Sequence, residues 1–226
     1  MVINEIFYSL QGEGFLAGVP SVFVRLAGCP LRCKWCDTKY AWAEDAGQDC
    51  TIAEIVEAVC KCHCRFVVIT GGEPMVNFEI RQLTRELKAA EKDITIETAG
   101  IAYIPEIPCD LMSISPKLSN SVPAEAEPAT IHNDSRLDLA VLGELIANYH
   151  YQLKFVVDSG NDLPEIQEVI EQTGNIDPEM VMLMPQAATR DELLAKSPMV
   201  ADMCKRTGFA FCQRLQVLLW NNQRGT

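Results

Sequence analysis

The chain is short of positive charge: 19 Lys and Arg stand against 31 Asp and Glu, for a formal net charge of −12 over 226 residues. A field of that sign opposes the counterion release that dominates nucleic-acid affinity, so no direct nucleic-acid binding is expected. No apolar run approaches the roughly 18 residues of a membrane-spanning helix, which argues against membrane insertion. The opening Met1-Val2-Ile3-Asn4-Glu5-Ile6 lacks the basic and apolar regions of a secretory signal. A cytoplasmic chain with reduced thiols is therefore expected. There is no internal repeat and no low-complexity linker, and the length sits at the upper end of one domain, so a single domain over 1–226 is predicted.

Ten cysteines are present, and three of them crowd into Gly28-Cys29-Pro30-Leu31-Arg32-Cys33-Lys34-Trp35-Cys36-Asp37-Thr38. Cys-x3-Cys-x2-Cys supplies three thiolates and no fourth. A structural zinc site normally closes with four Cys or His ligands, whereas a cubane 4Fe-4S cluster held by three thiolates leaves one iron open to an exogenous ligand. Any one of Cys29, Cys33 and Cys36 could be a buried core residue. Three together, with Gly28 and Pro30 breaking regular structure, favour the cluster. Cys60-Lys61-Cys62-His63-Cys64 packs four potential ligands into five residues. A tetrahedral site usually draws on two separated knuckles, so this group is read as incidental. Among the cations, Arg25, Lys117 and Lys154 are candidates to gather in one cleft around an anionic small molecule.

Val- and Ile-rich runs predict strands at Ser21–Leu26, Phe66–Thr70, Ile94–Glu97, Leu111–Ser115, Leu153–Asp158 and Met180–Met184. Helical spacing fills the gaps: after the capping box at Thr51 and Glu54, near Asn77–Glu91, around Arg136–Tyr149, from Asp162 (with Glu165 three residues on) to a stop at Gly174, and from Thr189 to Gly208 with an interruption at Pro198. Residues 117–134 read as irregular. Strands alternating with helices argue for a mainly parallel sheet, and six strands are too few for a closed eight-stranded barrel. The predicted fold is α/β: a partial, β6/α3-like TIM barrel of six mainly parallel strands with short N- and C-terminal extensions. In such barrels the reactive groups follow the C-terminal ends of the strands. The cysteine triad, Gly71-Gly72-Glu73-Pro74, Glu97-Thr98-Ala99-Gly100, Ser115-Pro116-Lys117 and Met184-Pro185-Gln186 all do so, which favours one composite site over scattered turns. The period-two stripe of Met180, Met182 and Met184 is read as core packing.

The three-cysteine loop after a first strand, with Trp35 before its last cysteine and Gly71-Gly72-Glu73-Pro74 after the second strand, resembles the radical S-adenosylmethionine (SAM) superfamily. Within it, Ser9-Leu10-Gln11-Gly12-Glu13-Gly14, Arg25, Asp37-Thr38, Glu97-Thr98, Ser115-Pro116-Lys117 and the ending Leu219-Trp220-Asn221-Asn222-Gln223-Arg224-Gly225 are similar to the 7-carboxy-7-deazaguanine synthase family over nearly the whole length. The resemblance implies a lyase of queuosine and 7-deazapurine biosynthesis. SAM would chelate the open iron, one electron would cleave it to a 5′-deoxyadenosyl radical, and hydrogen abstraction from C6 of 6-carboxy-5,6,7,8-tetrahydropterin would lead to 7-carboxy-7-deazaguanine with loss of ammonia. A primary carbon radical attacks almost any nearby C–H bond, so the protein must supply orientation and a dry pocket.

The resemblance assigns Cys29, Cys33 and Cys36 to the cluster. Trp35, Cys36, Asp37, Gly72, Glu73, Ser115, Pro116, Lys117 and Gln186 fall to SAM. Leu10, Gln11, Gly12, Glu13, Arg25, Thr70 and Glu97 fall to the pterin, where Arg25 could pair bidentately with the substrate carboxylate. Thr38 would meet a magnesium ion held mostly by substrate oxygens and water. Some members carry His where this chain has Gln216, and whether Gln216 contacts substrate is left open. A flavodoxin or ferredoxin as electron donor and a homodimer are also implied. Two alternatives stand beside this reading: an activase that installs a glycyl radical on a partner protein, and a non-enzymatic module whose cysteines hold structural zinc.

Overall fold

The computed structural model describes residues 1–221 and 223–226; Asn222, within the ending motif named above, lies outside the described residues. Among the described residues nine strands form one sheet: Val2–Leu10 (β1), Pro20–Leu26 (β2), Gln48–Asp49 (β3), Phe66–Gly71 (β4), Asp93–Thr98 (β5), Leu111–Ile114 (β6), Tyr151–Val157 (β7), Val181–Pro185 (β8) and Ala210–Phe211 (β9). Their order is β3-β1-β2-β4-β5-β6-β7-β8-β9, so the sheet stays open, with β3 and β9 at its edges. From β2 to β9 every pairing is parallel, whereas β1 pairs antiparallel with both β2 and β3. The six predicted parallel strands are all present. Strand β1 was not expected: Asn4 and Glu5 break its apolar alternation, the register shifts between Ile3 and Glu5, and most of its residues are only half-buried.

Among the described residues seven α-helices accompany the strands, the last of them following β9: Ile52–Lys61 (α1), Ile80–Ala89 (α2), Ala126–Ser135 (α3), Leu139–Asn148 (α4), Leu163–Thr173 (α5), Arg190–Thr207 (α6) and Leu215–Trp220 (α7). The capping box at Thr51/Glu54 forms as predicted, another opens α6 at Thr189/Glu192, and Gly174 and Gly208 end their helices at positive φ. Three helical expectations are corrected. Asp162 is the N-cap of α5, as expected, but its carboxylate makes no capping box with Glu165. Instead it closes a capping box with Ser159 around the single turn Gly160–Asp162. Pro198 does not interrupt α6, because Val200, Met203 and Cys204 bury beyond it and outweigh a local cost of about 3 kcal/mol. Residues 126–135, all but the last within the stretch 117–134 read as irregular, form α3. Its one buried residue is His132, so it carries no apolar stripe to reveal it.

Strands β7 and β8 are buried on both faces, and their two faces do different work. Leu153, Phe155, Val157, Val181 and Leu183 join the main core against the helices. Val156, Met182 and Met184 form a separate inner cluster with Cys212, against which Trp35 packs. Met182 and Met184 thus pack on the concave side, whereas Met180, in the turn before β8, packs against the main core. That concave side opens where the parallel strands end.

Candidate active site

A cavity of about 300 Å³ occupies this C-terminal rim. Every residue assigned from the sequence lines it except Pro116, which is buried between Ser115 and Lys117 and sets their spacing. The cysteine loop forms one wall. Its backbone is tied down on two sides: Gly28 and Cys29 donate to Ala41 and Trp42 (2.9 and 3.1 Å), and Lys34 donates to the Ser121 carbonyl (2.8 Å). Arg32 turns its Nη1 back onto the carbonyls of Cys29 and Leu31 (2.6 and 2.8 Å) while its guanidinium lies over the Trp42 ring. Its backbone N–H donates to His132 Nδ1 (3.1 Å). His132 Nε2 lies 2.8 Å from Ser121 Oγ, which itself donates to the Leu118 carbonyl. A ring that accepts at Nδ1 and faces a hydroxyl already donating elsewhere is the neutral Nε2–H tautomer.

Burial among Leu31, Ala99 and Ile101 pushes the Cys29 thiol up to about 12 and that of Cys33 up to about 11, and raises that of Cys36. These are thiols that give up their protons to a metal rather than to water. The Thr38 N–H points at Cys36 Sγ (3.4 Å), and Lys117 brings positive charge to Cys33. Among the described residues no three His, Cys, Asp or Glu side chains converge to hold a single metal ion, and no fourth cysteine lines the cavity. In a cubane each thiolate binds a different iron, so three non-convergent thiols lining one cavity, Cys33 buried and Cys29 and Cys36 half-buried, fit a cluster with one open iron and do not fit a closed zinc site.

The glycines after β4 serve the backbone. Gly71 has φ +126°, and a Cβ on Gly72 would stand 1.8 Å from the Gly28 carbonyl oxygen. The Gly72 and Glu73 amides donate to Leu26 and Gly28 (both 2.9 Å), fastening this loop to the chain that enters the cysteine loop. The Glu73 carboxylate is buried and takes three donors of its own protein: Thr98 Oγ1 (2.6 Å), Ala99 N (2.7 Å) and Met75 N (3.1 Å). Burial still raises its pKa against those bonds. Lys117 Nζ caps the Ser115 carbonyl and hydroxyl (2.7 and 3.0 Å) and lies over the Trp35 ring, while the Gln186 side chain accepts from Lys196 (2.6 Å).

The other end of the cavity is built from charges. Glu13 Oε2 meets Lys154 Nζ at 2.9 Å, Lys154 lies 3.7 Å from Glu97, and Glu13 Oε1 accepts from Arg214 Nε (3.1 Å) and Gln216 Nε2 (2.8 Å). Burial alone would raise the Glu13 carboxyl, but Lys154 and Arg214 outweigh it and hold Glu13 well below the usual carboxylate range. Gln11 and Thr70 donate to the two oxygens of Glu97 (3.2 and 2.9 Å). Arg25 pairs through Nε with Glu5 (2.7 Å), and its guanidinium lies near the faces of Phe7 and Tyr40. Sequence reasoning named Lys154 among the cleft cations but missed Glu5, Tyr40 and Arg214. No local pattern marks these three, since their partners come from distant segments.

The site is charged, and the chain that builds it is similar to known proteins. Residues 24–117 match the Radical SAM superfamily. The chain is 42% identical over its full length to the 7-carboxy-7-deazaguanine synthase of Rhodopirellula baltica, covering 89% of that protein. It is 41% identical over 97% of its length to the synthase of Halobacterium salinarum, covering 90% of it. Its fold is similar to the crystal structure of QueE from Escherichia coli, with a TM-score of 0.72 at 25% identity over 93% of this chain and 92% of that one. The chain belongs to the 7-carboxy-7-deazaguanine synthase family of the radical SAM superfamily.

Proposed function

We propose that this chain acts as one radical SAM domain over residues 1–226 and converts 6-carboxy-5,6,7,8-tetrahydropterin to 7-carboxy-7-deazaguanine with loss of ammonia, in queuosine and 7-deazapurine biosynthesis. The observation that carries the reading is a single cavity lined by the three cysteines of one loop, Cys33 buried and Cys29 and Cys36 half-buried, at one end and by a preorganised charged wall at the other. Cys29, Cys33 and Cys36 would hold a 4Fe-4S cluster. With SAM bound, that cluster supplies one-electron cleavage and hydrogen abstraction at the rim. Trp35, Asp37, Gly72, Glu73, Ser115, Lys117 and Gln186 shape the SAM end. Lys117 and the fastened Gly72-Glu73 backbone set where its polar groups can sit.

At the other end Glu97 is acceptor-only, and Gln11, Thr70 and Lys154 fix its orientation, which suits the N–H donors of a pterin ring. Arg25 commits Nε to Glu5, and its Nη groups carry the donors for the substrate carboxylate. Lys154, locked by Glu13, holds the wall and stays off the substrate. The work of these residues is orientation and exclusion of water, since the cavity is small and rigidly bonded. Thr38, whose hydroxyl donates to Asp37 and keeps an acceptor lone pair, would meet a magnesium ion held otherwise by substrate oxygens and water. A homodimer in the cytoplasm and a flavodoxin or ferredoxin as reductant complete the proposal.

The test is anaerobic reconstitution with iron and sulfide, followed by incubation with SAM, a reductant and the carboxy-tetrahydropterin, with and without magnesium. A deazapurine chromophore supports the reading. SAM cleavage without it, together with a glycyl radical signal on an added protein, would move the chain to the activases, and one equivalent of zinc without iron would remove the radical mechanism altogether.

A further inference from the structure

We propose that Arg214 is a positioning residue that locks the cysteine loop to the substrate end of the cavity across the open seam of the barrel, an assignment that rests on the reaction proposed above. The sheet does not close. Arg214 follows edge strand β9, whereas Glu13 follows β1 beside the opposite edge. The Arg214 side chain spans from one flank to the other with each part of its fork engaged. Nε donates to Glu13 (3.1 Å), Nη2 donates to Asp37 Oδ2 (2.5 Å), and Nη1 donates to the carbonyl of Ala187, the residue after Gln186.

Three features set this contact apart from an ordinary surface bridge. The residue is 8% exposed and lines the cavity itself. It stands at the start of α7 but makes no side-chain cap there, so local helix formation does not account for it. Its partners belong to three segments that must keep register: Asp37 directly follows Cys36, Glu13 anchors Lys154, and Ala187 ends the β8 rim. Burial would disfavour the guanidinium charge, yet Glu13 and Asp37 more than compensate. A planar fork reaches two carboxylates and a carbonyl at once, as a lysine ammonium on a flexible stem does not.

The two halves of the proposed chemistry depend on Arg214 differently. SAM cleavage needs the cysteine loop and the SAM end. Hydrogen abstraction from the pterin needs both ends held at a fixed separation, and a misplacement of about 1 Å costs roughly 100-fold. Arg214→Gln, Arg214→Lys and the unchanged chain are compared in two measurements. The first is amide hydrogen exchange of the iron-free protein. The hydrogen-bonded amides of Cys36 and Thr38 are expected to exchange at least ~10-fold faster in Arg214→Gln while β4 is unaffected. The second uses the reconstituted holoenzyme: SAM cleavage within about threefold of the unchanged chain, and deazapurine formed per SAM cleaved down roughly 100-fold. Arg214→Lys keeps a charge beside Glu13, is expected to retain the fold, and should fall between the two. It carries both comparisons should the glutamine variant not fold. Unaltered exchange at 36–38, or cleavage and product falling in parallel with iron content, would overturn the assignment. If the unchanged chain cleaves SAM but yields no deazapurine, the reaction reading fails by itself, and the exchange measurement alone decides the role of Arg214.

Discussion

Two segments of this chain are rich in cysteine, and they end at opposite rims of the same sheet. Cys29, Cys33 and Cys36 follow the C-terminal end of β2 and line the cavity. Cys60, Cys62 and Cys64 lie at the end of α1 and just before β4, on the N-terminal side of the parallel strands. There the side chains part company. Cys60 is exposed, Cys62 points weakly to the Ala58 carbonyl of its own helix (3.9 Å), Cys64 is buried and donates to the Pro20 carbonyl (3.1 Å), and His63 sits at φ 48° in the tight turn between them. Ligand density is therefore a poorer guide than position. In a barrel of this kind the C-terminal rim gathers loops from several strands around one space, and the N-terminal rim does not.

The largest effect that could break this contrast comes from the first segment. Cys29→Ala, Cys33→Ala and Cys36→Ala are each expected to lower bound iron after reconstitution to below half that of the unchanged chain and to abolish SAM cleavage. Iron analysis and the visible absorption of the reconstituted protein check this. A variant that keeps the full cluster spectrum would show that its cysteine is not a ligand.

The charged wall opposite the cysteines ranks next. Glu13→Gln leaves the buried Lys154 with Glu97 as its remaining carboxylate at 3.7 Å and the buried Arg214 with Asp37. Breaking a buried pair in this way is expected to cost about 3 kcal/mol in urea unfolding of the iron-free protein under reducing conditions. The sign of the pH dependence follows from the depressed Glu13 carboxyl. Its contribution is complete above the ordinary value of 4.5 and is lost as pH falls towards the folded-state value, so the gap between unchanged chain and variant narrows in acid. A constant gap, or one below about 1 kcal/mol, would show that the wall is solvated rather than buried.

This wall was also the part least legible in the sequence. The parallel strands could be read because each is an apolar run closed by Gly, Pro or a charged residue, and the rim rule then gathered nearly every candidate into one cavity. Pro116 missed the cavity only because it serves its neighbours. Arg214, by contrast, meets Asp37 and Glu13 across 177 and 201 residues. In one dimension each of these charges looks like solvated surface, and only the fold reveals that they neutralise one another. Helix α3 was hidden for a related reason: what it buries is a histidine, whose partners Arg32 and Ser121 lie elsewhere.

That histidine sharpens the comparison by a smaller step, because His132 anchors the cysteine loop of the cavity, whereas residues 60–64 are tied down at the other rim by Lys92 Nζ on the Cys64 carbonyl (2.7 Å). Burial, with Arg136 and Lys117 nearby, lowers its pKa from the ordinary 6.5. The folded state favours the neutral ring, so its stability is complete above 6.5 and declines as pH falls below that value towards the lowered one. His132→Leu is expected to cost about 1–3 kcal/mol at pH 7.5, since the Arg32 N–H loses its acceptor and Ser121 a donor. The variant should then lack the decline between pH 7 and pH 5 attributable to this ring. Urea midpoints at three pH values separate the cases; parallel profiles would mean that the ring titrates freely and does not hold the loop.

The smallest effect belongs to the second cysteine segment. Cys60→Ser with Cys62→Ser changes one exposed side chain and one whose only polar contact is a distant carbonyl within its own helix. Neither change opens a cavity or strands a buried donor. Cys64 is left in place because its thiol fills a buried position beside Pro20. Stability of the double variant is expected within about 0.5 kcal/mol of the unchanged chain, with the same iron content and SAM cleavage. A loss of iron here would place a ligand on the rim that the cavity does not reach, and the contrast between the two ends of the sheet would have to be redrawn around a second metal.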